Sequence, residues 1–126
     1  YLKGCSVFQS LKKWKLFFNK EELPFMWLRE SEPDGMAFVV IEPGGVIPDY
    51  IIEIPDNDVE VLKITAEDSP LILNIVTIGG DDPGSITVNL VGPIIINRAT
   101  GSGKQVIISN HEKYSAKFRL SDLLDS

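Results

Sequence analysis

The chain has 126 residues, of which 44% are hydrophobic and 24% are charged, and its formal net charge at pH 7 is −6. This composition is typical of one globular domain that folds without a disulfide or a metal, and it excludes an intrinsically disordered chain. No apolar run approaches the roughly 20 residues of a membrane helix, and the first residues lack the layout of a signal peptide. We therefore expect a single domain over residues 1–126, located in the cytoplasm.

The excess of acidic residues restricts the partners that the surface can bind. Nucleic-acid sites need clustered cations to displace counterions, so direct nucleic-acid binding is not expected. Lys12, Lys13 and Lys15 around Trp14 are interpreted as shielding a strand edge, not as a nucleic-acid patch. An acidic surface suits a basic protein partner. The single cysteine, Cys5, cannot form an internal disulfide and is typical of a reducing compartment.

Runs of β-branched and aromatic residues alternate with turns rich in Gly, Pro, Asn and Asp, which is the pattern of a mainly β fold. In chain order these runs predict strands at residues 14–18, 25–30, 37–41, 49–54, 71–78, 86–91, 94–97 and 104–109. Residues 25–30 and 37–41 form a predicted hairpin, because Pro33 and Gly35 lie between them where turn geometry favours these residues.

One helix of about two turns is predicted directly after Pro55. Asp56 is the predicted N-cap, acidic residues fill the first turn, and Val59, Leu62 and Lys63 recur at helical spacing. We expect this helix to connect the first group of strands to the second.

The central element is a predicted hairpin of residues 71–78 and 86–91, joined by the turn at 79–84. Both faces of its first arm are mostly apolar, which predicts a central strand covered on both sides. Gly92 and Pro93 then interrupt the sheet, because proline has no N–H for the ladder. The pattern therefore predicts a fold built from antiparallel hairpins.

Residues 100–104, Thr-Gly-Ser-Gly-Lys, invite comparison with a phosphate-binding loop. Arg98 stands where that motif needs its first glycine, and Gln105 stands where a Ser or Thr would bind magnesium. A strand instead of a helix is predicted to follow. We interpret the segment as a hairpin turn.

Other candidates for chemistry also fail. One histidine and one cysteine cannot form a nitrogen and sulfur metal site of usual spacing. Asp81 and Asp82 in a Gly/Pro turn are interpreted as solvated turn residues. His111 has no nearby motif for a serine nucleophile. We therefore expect no enzymatic activity, no metal and no cofactor.

Amides and hydroxyls inside the predicted strands are not explained by apolar packing. Asparagine is disfavoured in strands, so each such residue must bond locally, bond across strands or serve an interface. The residues concerned are Asn74, Thr77, Thr87, Asn89 and Asn97. Their types alone leave these readings open.

Five segments, in order over most of the chain, resemble the FliW family of flagellar assembly factors. They are residues 38–43 (FVVIEP), 48–50 (PDY), 73–78 (LNIVTI), 87–97 (TVNLVGPIIIN) and 103–107 (GKQVI). Family members usually carry a leading strand and a Gly-Leu-Pro-Gly-Phe turn, whereas this chain reads Gly-Cys-Ser-Val-Phe at residues 4–8. The expectation is that the leading strand of the family is absent here, and no partner contact of that turn is carried over.

The resemblance implies a small, antiparallel, β-barrel-like protein of the cytoplasm without catalytic activity. Members of the family bind flagellin, and they bind and antagonise CsrA, an RNA-binding translational repressor. Cytoplasmic flagellin occupies the FliW protein and frees CsrA, and secretion of flagellin reverses this. The expectation for this chain is a monomer when free that switches between these two partners.

The expected partner-binding face comprises Pro48, Asp49 and Tyr50 together with Asn89 and Asn97. Tyr50 is the expected anchor, because tyrosine offers a large contact area at a low entropy cost. A core position for Tyr50 is the alternative. The competing function is a small-ligand-binding β-barrel, unrelated to flagella, whose interior amides line a cavity.

Overall fold

The computed structural model describes residues 5–6, 13–30, 36–65, 67, 69–79 and 86–121. Within these ranges the protein is mainly antiparallel β with one α-helix, as predicted, and it also has one short 3-10 helix. The elements in order are β1 Cys5–Ser6, β2 Lys13–Phe18, β3 Phe25–Glu30, β4 Ala37–Ile41, α1 Asp56–Leu62, β5 Leu71–Ile78, β6 Ile86–Val88, β7 Ile94–Ile96, β8 Gly103–Gln105, the 3-10 helix His111–Lys113 and β9 Phe118–Arg119.

Strand β5 is the centre of the sheet. The strand order is β1-β2-β3-β4-β5-β6-β9, and β5 also pairs with β7, which pairs with β8. Val76 of β5 lies opposite both Val39 of β4 and Val88 of β6, whereas Leu71–Leu73 pair with β7. The sheet is barrel-like but open, since no strand pairing joins β8 to β1 in the described part of the chain. The prediction of a central hairpin is confirmed.

The sheet has two faces, which we name by the residues that they carry. The inner face buries an apolar cluster around Leu28 and Leu73, both with no exposed surface. Its members are Leu16, Met26, Leu28, Val40, Leu71, Leu73, Ile94 and Ile96. The outer face carries a second cluster of Ile41, Ile47, Val76, Val88 and Leu90. Helix α1 closes a third cluster through Leu62, which packs with Ile95 and Val106.

The predicted strand at residues 49–54 is wrong. These residues belong to no strand, although part of their backbone is hydrogen-bonded to distant groups. The N–H of Glu53 donates to Asn110 Oδ1 at 2.9 Å, and the N–H of Ile51 donates to the Tyr114 hydroxyl at 2.9 Å. Side chains from the C-terminal segment therefore replace the ladder that a strand would need.

Helix α1 has the predicted length, with 7 residues, but it begins differently. Asp56 is already helical, and Pro55 is the N-cap, with φ −56° and ψ 144° and no side-chain cap bond. The carbonyl of Pro55 accepts from the N–H groups of Asp58 and Val59, which sets the first turn. The prediction of Asp56 as the N-cap is therefore wrong.

The strands after β5 are shorter than predicted. β8 ends at Gln105, yet Val106 and Ile108 still donate backbone bonds to Pro93 and Val91. The 3-10 helix and β9 were not predicted. The turn at 31–35, the turn residues 80–84 with both of their aspartates, and the side chain of Cys5 lie outside the described residues. None of the described helices has both the length and the apolarity to cross a lipid bilayer.

Candidate partner-binding site around Tyr50

Tyr50 is half-buried on the outer face and joins three parts of the chain. Its hydroxyl donates to the carbonyl of Leu90 at 2.6 Å and accepts from Asn74 Nδ2 at 3.1 Å. Its ring meets the ring of Tyr114 edge-on, with centroids 4.9 Å apart and planes at 80°. Burial raises the pKa of the Tyr50 phenol, against the bond from Asn74, which lowers it. The neutral hydroxyl is therefore the stable form at physiological pH.

Tyr114 fastens the residues next to Tyr50. Its hydroxyl accepts from the N–H of Ile51 and lies 3.0 Å from the Ile51 carbonyl and 3.3 Å from the Asp49 carbonyl. Asn110 adds a bond from its Nδ2 to the Ile51 carbonyl at 2.7 Å. The backbone around Tyr50 is thus held by side chains about 60 residues later in the chain.

Asp49 and Pro48 are exposed beside Tyr50. Asp49 adopts a left-handed backbone conformation, with φ 58°, which non-glycine residues adopt at a cost of roughly 1–2 kcal/mol. Aspartate is among the residues that tolerate this region best. The bonds of Tyr50 and Tyr114 hold the chain at and directly after this residue, which fixes the backbone that carries the exposed carboxylate.

Asn89 lies close to Tyr50 and shapes the turn that follows β6. Its Oδ1 accepts from the N–H groups of Val91 at 3.0 Å and Gly92 at 2.9 Å. Its carbonyl accepts from Asn74 Nδ2 at 3.0 Å. Asn74 therefore bridges Asn89 and Tyr50, and the side chain of Asn89 is a local turn bond.

Comparisons with known proteins identify the family of this chain. Residues 2–120 match the family model described as FliW protein. The chain belongs to the FliW family. A curated flagellar assembly factor FliW of Thermosipho africanus is 37% identical over 120 residues, covering 95% of this chain and 82% of the relative. One from Leptospira interrogans serovar copenhageni is 38% identical, covering 93% and 77%.

A solved structure of a FliW protein gives the same result for the fold. The crystal structure of the flagellar assembly factor FliW superposes with a TM-score of 0.74 at 37% identity, covering 86% of this chain and 74% of that chain. The resemblance noted from the sequence segments is therefore confirmed, and so is the antiparallel, barrel-like architecture.

In this FliW-family fold, Asn97 lies apart from the other four predicted site residues. It is only 3% exposed, and its Nδ2 donates to the carbonyls of Leu62 at 2.8 Å and Lys63 at 3.2 Å, at the end of α1. Its Oδ1 accepts from the N–H of Ala99 at 2.8 Å. Asn97 thus joins the helix end to the turn after β7.

The glycine-rich segment after Asn97 is a hairpin turn, as predicted. β7 and β8 pair on either side of it, and Gly101 has φ 76°, a conformation that favours glycine. The Gly101 N–H donates to the Asn97 carbonyl at 2.8 Å. In the described residues, no group of three or more His, Cys, Asp or Glu side chains could hold a metal ion.

A groove of about 390 Å³ lies beside Tyr114, whose ring contacts Tyr50. It is lined by Ile47, Pro48, Leu90, Lys113, Tyr114, Ser115 and Phe118. Its C-terminal wall was missed from the sequence, although Tyr114 and Phe118 gave a signal as isolated aromatic residues in a polar tail. Pro48 is the predicted site residue that lines this groove.

Proposed function

We propose that the chain is a non-enzymatic, cytoplasmic flagellar assembly factor that binds flagellin and antagonises the translational repressor CsrA. The observation that carries the proposal is the family match over residues 2–120, together with relatives at 34–38% identity that are named flagellar assembly factors. The net charge of −6 supports a basic, RNA-binding partner.

The proposed mechanism is partner switching by a protein that is a monomer when free. Flagellin that accumulates in the cytoplasm occupies this protein and releases CsrA, and secretion of flagellin reverses the exchange. If the two complexes exclude each other, the free concentrations and relative affinities decide which partner is bound. The protein then couples flagellin synthesis to secretion without any chemical step.

The proposed binding face is formed by Pro48, Asp49 and Tyr50, with Asn89 beside them and Asn97 more distant. The support is that Pro48 and Asp49 are exposed on a backbone fastened by Tyr50 and Tyr114. A surface that is already rigid loses little conformational entropy on binding. Asn89 contributes in this proposal by holding the backbone turn at the border of the face, and Asn97 by holding the more distant turn after β7.

The proposal is tested by pull-down of flagellin and of CsrA with purified variants. Asp49→Lys reverses an exposed charge and leaves the hydroxyl bonds of Tyr50 in place, and Tyr50→Ala removes the anchor. Glu60→Lys on the exposed side of α1 is the matched charge control. We expect Asp49→Lys to weaken CsrA binding at least about tenfold, since rim charges govern association, and Glu60→Lys to leave it unchanged.

Two outcomes would contradict this proposal. If folded Asp49→Lys and Tyr50→Ala proteins both retain full binding of both partners, the proposed face is wrong. If the wild-type protein binds neither partner, the proposed function itself is wrong. Association with CsrA should also slow as salt is raised across the range where the Debye length shrinks from about 30 Å to about 8 Å.

A further inference from the structure

We propose that a second exposed surface, on the outer face of strands β2 to β6, docks an acidic, apolar segment of a partner protein. We name it the outer stripe and define it by Phe17, Trp27, Val39, Ile78 and Ile86, with Lys15 and Arg29 at its border. The outer stripe contains none of the residues of the proposed face at Tyr50, so docking there is independent of whether that face binds flagellin or CsrA.

Strand register places these side chains together. Phe17 lies opposite Trp27, and Trp27 lies opposite Val39, which in turn lies opposite Val76. Residues directly opposite in antiparallel strands point to the same face, so the four side chains form one row. Ile78 and Ile86 are a further opposed pair, and they follow Val76 and precede Val88 by two residues on the same face.

Exposure changes sharply along this row. Val76 is only 5% exposed, because Tyr50, Tyr114 and Phe118 pack over the cluster that contains it. Trp27 is 40% exposed, Phe17 is 42% exposed and Ile78 is 56% exposed. The same sheet face is therefore covered on one side and presents large apolar side chains on the other, which is typical of an interaction surface.

Two hollows meet at Trp27. One, of about 310 Å³, is lined by Glu22, Phe25, Trp27, Val39, Ile78 and Ile86. The other, of about 520 Å³, is lined by Phe17, Trp27, Arg29 and Ala37. Side chains of a partner segment can enter the two hollows, one on each side of the indole. Trp27 then lies at the centre of the binding surface, where aromatic residues contribute most to binding.

The charges at the border identify the partner. Lys15 lies directly opposite Arg29, although like charges at opposed positions destabilise a strand pair. Among the described residues neither cation has an ion-pair partner. In a chain with 18 acidic and 12 basic residues, two adjacent cations that have no ion-pair partner among the described residues are against the overall balance. A carboxylate on a docked segment would relieve this repulsion.

Single-stranded nucleic acid is the other ligand that combines aromatic stacking with cations. Two cations supply a small part of the counterion release that such binding requires, and the net charge of −6 repels phosphates. An acidic peptide needs fewer charge contacts, because its apolar side chains contribute burial in the hollows. The observations therefore favour the peptide.

Trp27 itself is the reporter for the test. The chain has 2 tryptophans, so Trp14→Phe leaves Trp27 as the only one. Two synthetic peptides with identical leucine positions, one with glutamate and the other with lysine at every other position, are titrated against this variant. A poly-dT oligonucleotide is the third probe. We expect a blue shift of Trp27 emission with the glutamate peptide, because a docked segment excludes water from the indole.

The charge pair is tested in the same background. Lys15→Glu with Arg29→Glu should weaken the glutamate peptide about tenfold or more and should favour the lysine peptide. Lys15→Gln with Arg29→Gln should give an intermediate loss, and it keeps the test valid if the double reversal fails to fold. Lys63→Glu with Lys117→Glu changes the net charge equally at exposed positions elsewhere, and it should leave binding unchanged.

The proposal fails if the two peptides bind equally, if neither shifts Trp27 emission, or if the oligonucleotide binds more tightly than the glutamate peptide. It also fails if the control pair weakens binding as much as the charge reversal at Lys15 and Arg29, because that result would show a general effect of net charge.

Discussion

The two halves of the outer face differ in whether other segments of the chain cover them. On the side of Tyr50, a loop and the C-terminal segment cover the sheet. The Tyr50 hydroxyl donates to the chain, and Tyr114 and Asn110 accept hydrogen bonds from the N–H groups of the loop. On the side of Trp27, the apolar side chains reach the surface. Polar groups thus fasten the covered half, whereas the outer stripe retains the apolar area that a partner can bury.

Residue type alone therefore does not predict which side chains of either half reach the surface. Asn89 and Asn97, predicted as interface residues, make bonds to the backbone of their own chain. Phe17 and Trp27, which pattern assigns to ordinary strands, are the ones that lie partly exposed. Substitutions in the two halves should therefore separate effects on stability from effects on binding, and the inner face gives the reference for both.

Leu73→Ala should cause the largest loss of stability. Leu73 has no exposed surface and belongs to the inner cluster that supports both halves. Removing it deletes apolar contacts and leaves a cavity, which lowers the free energy of unfolding by about 3 kcal/mol. Urea denaturation followed by circular dichroism measures this. A loss below about 1 kcal/mol would mean that the inner face is not the main core.

Asn97→Ala should lower the free energy of unfolding by about 2 kcal/mol. The carbonyls of Leu62 and Lys63 and the N–H of Ala99 each lose a hydrogen-bond partner in this variant. Asn97→Asp keeps an acceptor for Ala99 and loses the donors to the helix end, so comparison of the two variants apportions the effect. Equal stability of Asn97→Ala and the wild type would leave an interface role as the better reading of this residue.

Tyr50→Phe should lower the free energy of unfolding by about 1 kcal/mol at pH 7, since the bond to Leu90 and the acceptor for Asn74 are lost. Burial raises the pKa of Tyr50 in the folded protein above the ordinary tyrosine value of about 10. Its contribution to stability is therefore complete below pH 10 and declines as the pH rises toward the folded pKa, because the unfolded chain loses this proton first. Tyr50→Phe should show a smaller decline above pH 10 in the same urea titrations, and an identical decline would exclude this assignment.

Ile78→Thr should have the smallest effect, within about 0.5 kcal/mol, because its side chain is 56% exposed and threonine suits a strand. The same variant should weaken docking of the glutamate peptide, because it removes apolar area from the hollow beside Trp27. Thermal melts and the Trp27 titration measure the two effects. A large loss of stability with unchanged docking would show that Ile78 serves the folded core and not the outer stripe.

Local pattern was sufficient for much of this protein. The alternation of apolar residues predicted the hairpins, because opposite faces of a strand alternate along the chain whatever its partners are. Proline and glycine positions predicted the break at Pro93 and the turn around Gly101 for the same local reason. The ordered family segments predicted membership of FliW, which the comparisons confirm.

Only the tertiary structure decided where the loops and the uncovered surface lie. Residues 49–54 have a strand composition, yet the N–H groups of Ile51 and Glu53 bond to the side chains of Tyr114 and Asn110, which no local pattern can pair with them. Whether an apolar strand residue such as Trp27 or Val76 is covered depends on which distant segment packs over it. Whether a strand side chain is covered depends on long-range packing, which is established only in the folded protein.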